Sequence, residues 1–352
     1  MKGRQILIEP LPGGGDAAAL VVDGRLRDLL IDPAPDDPTP RPEAIHRATA
    51  GRPMKGMGGV VVDLGGGATG YLRTPRPPAP GTRLLAQVSG WAEDGKAPPV
   101  SDRPLLKGRL AILTPGAPGT NVARGLRDAA RRAALVSIAR AAMAEAPADT
   151  GLILRSAAEA ATEAEIAAEI AALIADWRGI AIDGPPALAR PAPGAAAEAL
   201  RDWFRPGDQT RRATSAMADV WDEALALIRP IAPLGAGSMA VESTRALVAV
   251  DVNTGSDLSP AAALKVNLAA ARELPRQLRL RGLGGQVSID FAPLAKADRP
   301  KIESALTAAL REDGIDTSLA GWTPLGHLEL LRKRARRPIL LGLARAPLRA
   351  AP

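Results

Sequence analysis

The sequence predicts an α/β chain of several domains, and three stretches carry that prediction. From Gly237 to Leu294 a β-branched and aliphatic run, a long segment with apolar residues at helical spacing, and a second apolar run follow one another as strand, helix and strand. From Ala44 to about Arg103, short apolar runs are broken by glycine clusters, which suits a small barrel. At the start, Gln5 to Glu9, Ala18 to Val22 and Leu26 to Ile31 are three short strands separated by LPGGGD and VDGR, a three-strand meander.

Along the chain, DPAPDDPTPRPE is proline-rich and acidic and reads as a linker. Gly59 to Leu64 and Leu84 to Val88 are strands of the barrel, Leu106 to Pro115 reads as one further strand, and a helix runs from Leu126 to about Glu145. Gly151 to Leu154 is a strand with Arg155 and Ser156 at its end. Thr162 to Trp177 is an amphipathic helix with Ile166, Ile170, Leu173 and Ile174 on one face. Between Gly179 and Leu234, PPALARPAPGAAAEALRDWF and SAMADVWDEALALIRPIAPLGAG read as two helices, in which Trp203, Phe204 and Trp221 are core residues. Arg245 to Val252 is then a strand and Leu258 to Arg281 a helix started by Ser259 and Pro260. Gly282, Gly284 and Gly285 stop that helix before a second strand, Gln286 to Phe291. Arg299 to Glu312 is a helix, and Trp322 to Arg337 reads as another, ending in the basic cluster RKRARR.

A helix joining two strands in this order implies a right-handed crossover between parallel strands, so Asp251 and Asp290 emerge at the same carboxyl edge, where open α/β sheets place their sites. Two neighbouring carboxylates repel unless a cation joins them. With only oxygen ligands at hand, the ion of choice is Mg²⁺, with Mn²⁺ as a substitute, and Asn253 on the same strand face can orient a water or a phosphate oxygen. The same aspartates also read as ordinary strand-end carboxylates capping turns, and spacing alone leaves both readings open.

At 352 residues the chain is long enough for two or three domains with substantial cores. Aromatic residues are 2% of the total and the formal charge is +7, which suits a polyanionic partner. Cys is 0, so disulfides and thiolate metal sites are excluded. No leader-like segment and no apolar run of membrane-spanning length are present, which predicts a soluble cytoplasmic protein. DLGGG also invites comparison with phosphate-cradling turns of actin-like and sugar-kinase ATPases, but no second phosphate loop or adenosine loop follows.

ESTRALVAVDVNTG, NLAAARELPRQLRLRGLGGQVSIDF and LGHLELLRKR resemble the catalytic region of the ribonuclease E/G family, single-strand-specific endoribonucleases. The resemblance places the two metal-binding aspartates on Asp251 and Asp290 and the asparagine between them on Asn253. It implies Mg²⁺-assisted hydrolysis of single-stranded RNA to a 3′-hydroxyl and a 5′-phosphate. VVVDLGGGATGYL is similar to the OB-fold RNA-binding barrel of the family, in which aromatic side chains stack on bases. Tyr71 matches one of these and Val61 or Val62 stands at the other; Trp91, Lys96, Arg73 and Arg76 are the candidates to compensate. GLILRSA is similar to the segment that binds the RNA 5′-monophosphate, so Arg155 would fork onto the phosphate while the Ser156 hydroxyl donates a second bond. Arg124, in GAPGTNVARGLRD, joins the implied RNA contacts.

The implied architecture is a DNase I-like catalytic domain over 235–352, an OB-fold barrel over 40–103, a 5′-sensor region over 104–184, and a trimmed RNase H-like subdomain split between 1–39 and 185–234. The chain departs from the family in three ways. It lacks the cysteine pair of the zinc link, Pro324 and Leu325 replace an Arg-Phe pair, and His327 replaces a leucine, where it reads as a solvent-facing helix residue. No zinc link is therefore expected, and His46 and His327 are too dispersed to replace one, so the expected state is a monomer or a dimer not mediated by zinc. A catalytically weak or inactive RNA-binding relative is the alternative, favoured by the missing zinc link, the lost stacking aromatic and the shortened RNase H-like part.

Overall fold

The computed structural model describes residues 3–54, 56–93, 95–235 and 237–347. They form two compact units, one of residues 3–36 with 208–347 and one of residues 37–207, the second inserted in sequence into the first. The first unit opens with β1 (Arg4–Pro10), β2 (Asp16–Val22) and β3 (Arg25–Ile31), the antiparallel meander that the sequence predicts. The acidic, proline-rich stretch that follows forms no helix or strand.

The inserted unit begins with β4 (Ile45–Met54), β5 (Gly59–Gly65), β6 (Ala68–Arg73), β7 (Arg83–Val88) and β8 (Pro99–Ser101). Their order is β4-β5-β6-β8-β7, and β7 pairs back onto β4, closing a five-stranded OB-like barrel with no free edge in the ring. Inward alternation puts Val60, Val62, Leu64, Leu72, Ala86 and Val88 into its core. Gly70 faces in as well; a Cβ there would come within 2.5 Å of Val100, so only glycine fits.

Beyond the barrel lie β9 (Leu106–Lys107), β10 (Ala111–Pro115), β11 (Gly119–Val122), α1 (Ala129–Ala142), β12 (Thr150–Leu154) and α2 (Glu163–Arg178), with the strands in the order β11-β12-β10-β9. The single strand expected from Leu106 to Pro115 is instead two antiparallel ones. The Glu169 carboxylate of α2 accepts the N–H groups of Arg109, Leu110 and Ala111 at 3.1, 2.6 and 2.9 Å and so holds the turn between them. α2 starts on a capping box made by Thr162 and Glu165, and it buries Ile166, Ile170, Leu173 and Ile174 as predicted. The helix expected over PPALARPAPGAAAEALRDWF is also corrected. Pro191 and Pro193 break it, so that β13 (Ala187–Arg190) joins β4 and only α3 (Ala195–Asp202) is helical.

The first unit resumes with β14 (Gln209–Arg212), parallel to β1, then α4 (Ala218–Ala226), β15 (Ile231–Pro233) and β16 (Gly237–Ser243). Here too the predicted helix is shorter, since the chain leaves α4 before Pro230 and enters β15. Trp203 and Trp221 are buried as expected, while Phe204 is half-buried beside the Arg109 guanidinium. Next come β17 (Val248–Thr254), α5 (Pro260–Arg281), β18 (Gly285–Asp290), α6 (Arg299–Asp313), β19 (Thr317–Trp322), β20 (Leu328–Arg332) and α7 (Ile339–Leu343). The sheet order is β15-β16-β17-β18-β20-β19, and only β17 and β18 run parallel. α5 ends on Gly282 in the left-handed conformation, at φ 68°.

One expectation fails outright, because Trp322 to Arg337 is not a helix. LELLR has helix-forming residues, but its burial alternates, with Leu328, Leu330 and Arg332 inside and Glu329 and Leu331 outward. It pairs with β18 on one side and β19 on the other, and that tertiary pairing overrides local propensity. The basic cluster is partly turned inward as well. Arg332 is 2% exposed and bonds Asp313 and Thr317, and Arg336 pairs with Asp28, so these two cations are neutralised within the unit and not offered to RNA.

Candidate functional site

β17 and β18 carry valine and isoleucine on alternate positions, and these face α5 and α6: Val248, Val250, Val252, Val287 and Ile289 are all buried in the core beneath those helices. The intervening residues point to the other side of the sheet, where Asp251, Asn253 and Asp290 are exposed. Asp251 and Asp290 are direct partners in the parallel register, which sets their Cα atoms about 4.8 Å apart, the ordinary strand spacing. Asn253 Nδ2 donates to Asp251 Oδ2 at 2.7 Å. Ala240 stands opposite Asp251 on β16. On the far side His327, in the turn before β20, brings Nε2 to 3.8 Å from Asp290 Oδ2. No Lys or Arg pairs with either carboxylate among the described residues.

This donor set suits a hard divalent cation. Two side-by-side carboxylates without a cation repel, and both are open to solvent, so the ion and its water shell have access. No third acidic or histidine side chain completes a protein cage among the described residues. Of the hard divalent ions, Mg²⁺ is one that can be held by one or two carboxylates, its other positions going to water and phosphate.

The backbone leaving β18 is held from beneath. Asn267 of α5 is fully buried, and its amide makes both bonds to Ala292: Nδ2 donates to the carbonyl at 2.9 Å and Oδ1 accepts the N–H at 3.0 Å. Between Asp290 and Ala292, Phe291 is buried and packs on Trp322 with ring centroids 5.8 Å apart. The segment after Asp290 is therefore fixed by a polar clamp and an aromatic contact.

In the other unit Arg155 follows β12 and the exposed Ser156 begins a 3₁₀ turn. The Arg155 guanidinium donates to the Gly108 carbonyl at 2.7 Å and pairs with Asp202 at 2.8 Å. Asp202 in turn pairs with Arg201, which grips Glu43 with both Nη atoms. Burial alone would raise the Asp202 carboxyl, but Arg201 and Arg155 outweigh it and hold it below the usual carboxylate range. Arg124 is exposed in the turn after β11. On the barrel, Tyr71 faces outward with its hydroxyl donating to the Met57 carbonyl at 2.6 Å, its ring lying over Gly59. Val61 is its cross-strand partner and Val62 faces inward, so the neighbouring outer position is aliphatic. Lys96 is exposed and paired with Glu93.

The model of the ribonuclease E/G family matches residues 105–234 and 215–335. The chain belongs to the ribonuclease E/G family. It is 35% identical to Ribonuclease G of Salmonella typhimurium over 119 residues, 32% of this chain and 24% of that enzyme. It is 28% identical to Ribonuclease E of Nostoc sp. over 301 residues, 73% of this chain and 43% of that enzyme. With Ribonuclease E of Escherichia coli it shares 38% identity over 104 residues, 28% of this chain and 10% of that enzyme. The chain thus spans less than half the length of these relatives.

Three residues at these places escaped sequence reasoning. Asn267 lies in the NLAAA segment that helped to identify the family, and its signal was a polar side chain on the apolar face of α5. His327 was placed on a helix, so its approach to Asp290 was hidden by the wrong element. Asp202 left no signal, because its ion pair with Arg155 joins residues far apart in sequence.

Proposed function

We propose that this chain is a metal-dependent endoribonuclease that cleaves single-stranded RNA at Asp251 and Asp290. The observation that carries the proposal is the pairing of these carboxylates in one register on an exposed sheet face, with no Lys or Arg among the described residues to neutralise them. Asp251 and Asp290 would hold Mg²⁺, or Mn²⁺ in its place. When bound, the ion lowers the pKa of a water and offsets charge that builds on the phosphate. Asn253 fixes the Asp251 carboxylate through its amide and retains a second N–H for a water or phosphate oxygen. Asn267 and Phe291 keep the exit of β18, and with it Asp290, in place. The sheet under the dyad takes the part of the DNase I-like catalytic domain, and β1 to β3 with β14 that of the RNase H-like subdomain.

In the inserted unit we assign Arg155 and Ser156 to the 5′-monophosphate of the RNA, and Tyr71, Lys96 and Arg124 to contacts along the strand. A phosphate must then displace Asp202 from Arg155. The second reading, a catalytically weak RNA-binding relative, is favoured by the barrel: Val61 offers no ring beside Tyr71, and Lys96 is tied to Glu93. With no cysteine for a zinc link, we assign a monomer or a dimer joined by another surface. No helix among the described residues is long and apolar enough to cross a membrane. The test is incubation of the purified protein with a 5′-monophosphorylated single-stranded RNA, with and without Mg²⁺. Cleavage to 3′-hydroxyl and 5′-phosphate ends only with the metal is the expected result, and binding without cleavage at any metal concentration would support the second reading.

A further inference from the structure

We propose that Arg299 binds a phosphodiester of the RNA chain next to the one held at Asp251 and Asp290, so that the single strand is gripped at two successive places. The inference rests on the dyad being the cleavage site. Arg299 opens α6, and its guanidinium lies over the Trp322 ring at 4.4 Å from the centroid. Trp322 is itself held by Phe291, the residue after Asp290, and by an indole N–H bond to Glu303. The guanidinium Nη2 reaches the flank of Gly326, and the next residue, His327, touches Asp290. Arg299 is thus linked to the dyad on both sides, through Phe291 and through His327.

What sets Arg299 apart is that it has neither an anion nor a hydrogen-bond acceptor among the described residues. Arg276 is neutralised by Glu273 and Glu223, Arg279 and Arg332 by Asp313, and Arg336 by Asp28, while the buried Arg281, which also lacks an anion, donates to Gln277 and to the Pro230 carbonyl. Arg299 has no hydrogen bond or ion pair among the described residues, and its Nε is buried without a partner. A guanidinium held flat on an indole is pre-organised, with its remaining N–H groups in a fixed fork. That fork suits the two non-bridging oxygens of a phosphodiester, and stacking on the ring leaves the charge undiminished for it. A planar cation kept free of carboxylates, one residue contact away from His327 and Phe291 at Asp290, gives a polyanionic strand a point of attachment where the carboxylates alone would repel it.

The test uses the full chain carrying Asp251→Asn, so that bound RNA stays intact, and reads the affinity for a single-stranded RNA by fluorescence anisotropy across a salt series. Arg299→Gln should weaken binding several-fold at low salt and reduce the slope of log K against log salt by about 0.7, the value for one phosphate contact on a single strand. Arg299→Lys should restore the slope, while Arg311→Gln, an equal charge change at the exposed far end of α6, should leave it unchanged. If Arg299→Gln proves misfolded, footprinting with an arginine-specific dicarbonyl on the Asp251→Asn protein decides: RNA should protect Arg299 from modification. An unchanged slope with a folded variant, or equal modification with and without RNA, overturns the proposal alone. Equal loss of slope for Arg311→Gln overturns it too, in favour of diffuse attraction. Absence of RNA binding by every protein overturns the ribonuclease reading along with it.

Discussion

Replacing Asn267 by alanine removes both bonds to Ala292 and leaves that residue's N–H and carbonyl without partners in a region where Asn267 is 0% and Ala292 4% exposed. An orphaned buried polar group costs about 1–3 kcal/mol. Two of them, not fully additive, give roughly 3–5 kcal/mol, a large part of a typical stability of about 5–15 kcal/mol. Urea unfolding followed by circular dichroism should show a lower midpoint with an unchanged slope. Asn267→Leu refills the volume but cannot bond Ala292, so it should be no better than alanine. RNA cleavage by the surviving folded fraction should also fall, because the clamp holds the chain that carries Asp290. A loss below about 1 kcal/mol, or recovery by leucine, would refute the reasoning and make packing the cause.

Arg155→Ala should slow cleavage of 5′-monophosphorylated RNA by roughly tenfold to a hundredfold, the worth of a charge-assisted bond, and leave 5′-hydroxyl substrates nearly untouched; equal slowing of both would make Arg155 structural. Asp202→Asn should raise the preference for the 5′-monophosphate, since the competing anion is gone from Arg155, and an unchanged preference would count against displacement. Burial lowers the His46 imidazole from its ordinary value of about 6.5, its Nε2 having no partner, so the folded barrel holds it neutral. The unfolded chain then takes up the proton first: the stabilisation is whole above about pH 6.5 and is lost as pH falls toward the depressed folded value. Urea midpoints at pH 7.5 and 5.5 should differ less in His46→Asn than in the parent, and identical pH dependence would exclude the histidine. Light scattering should show a predominantly monomeric protein whose cleavage resists zinc chelation at excess Mg²⁺; a dimer that a zinc chelator dissociates would contradict this.

Much of the candidate site was legible because it is local. The alternation in VAVDVN and QVSID, with a long amphipathic segment between them, determines the two strands, their covered face and the side on which both aspartates stand. The barrel was legible for the same reason, through short runs at glycine turns. What failed depended on partners distant in sequence. LELLR reads as a helix until β18 and β19 lie on either side of it, and the turn that divides the strand at Leu106 is held by Glu169, far off in sequence, reaching across to its N–H groups. Charges misled in the same way. RKRARR looks like an RNA patch, yet Arg332 and Arg336 are spent on Asp313 and Asp28, while Arg299, which has no hydrogen-bond or ion-pair partner among the described residues, carries no pattern of its own.

The most direct test of the account follows cleavage of a 5′-monophosphorylated single-stranded RNA across a Mg²⁺ titration for the parent protein, Asp251→Asn and Asp290→Asn, with RNA binding measured on the same samples. The account predicts metal-dependent cleavage by the parent, none by either variant, and nearly equal RNA affinity in all three, because each substitution removes a ligand and leaves the basic surface intact. Cleavage at the parental rate by either variant would contradict it.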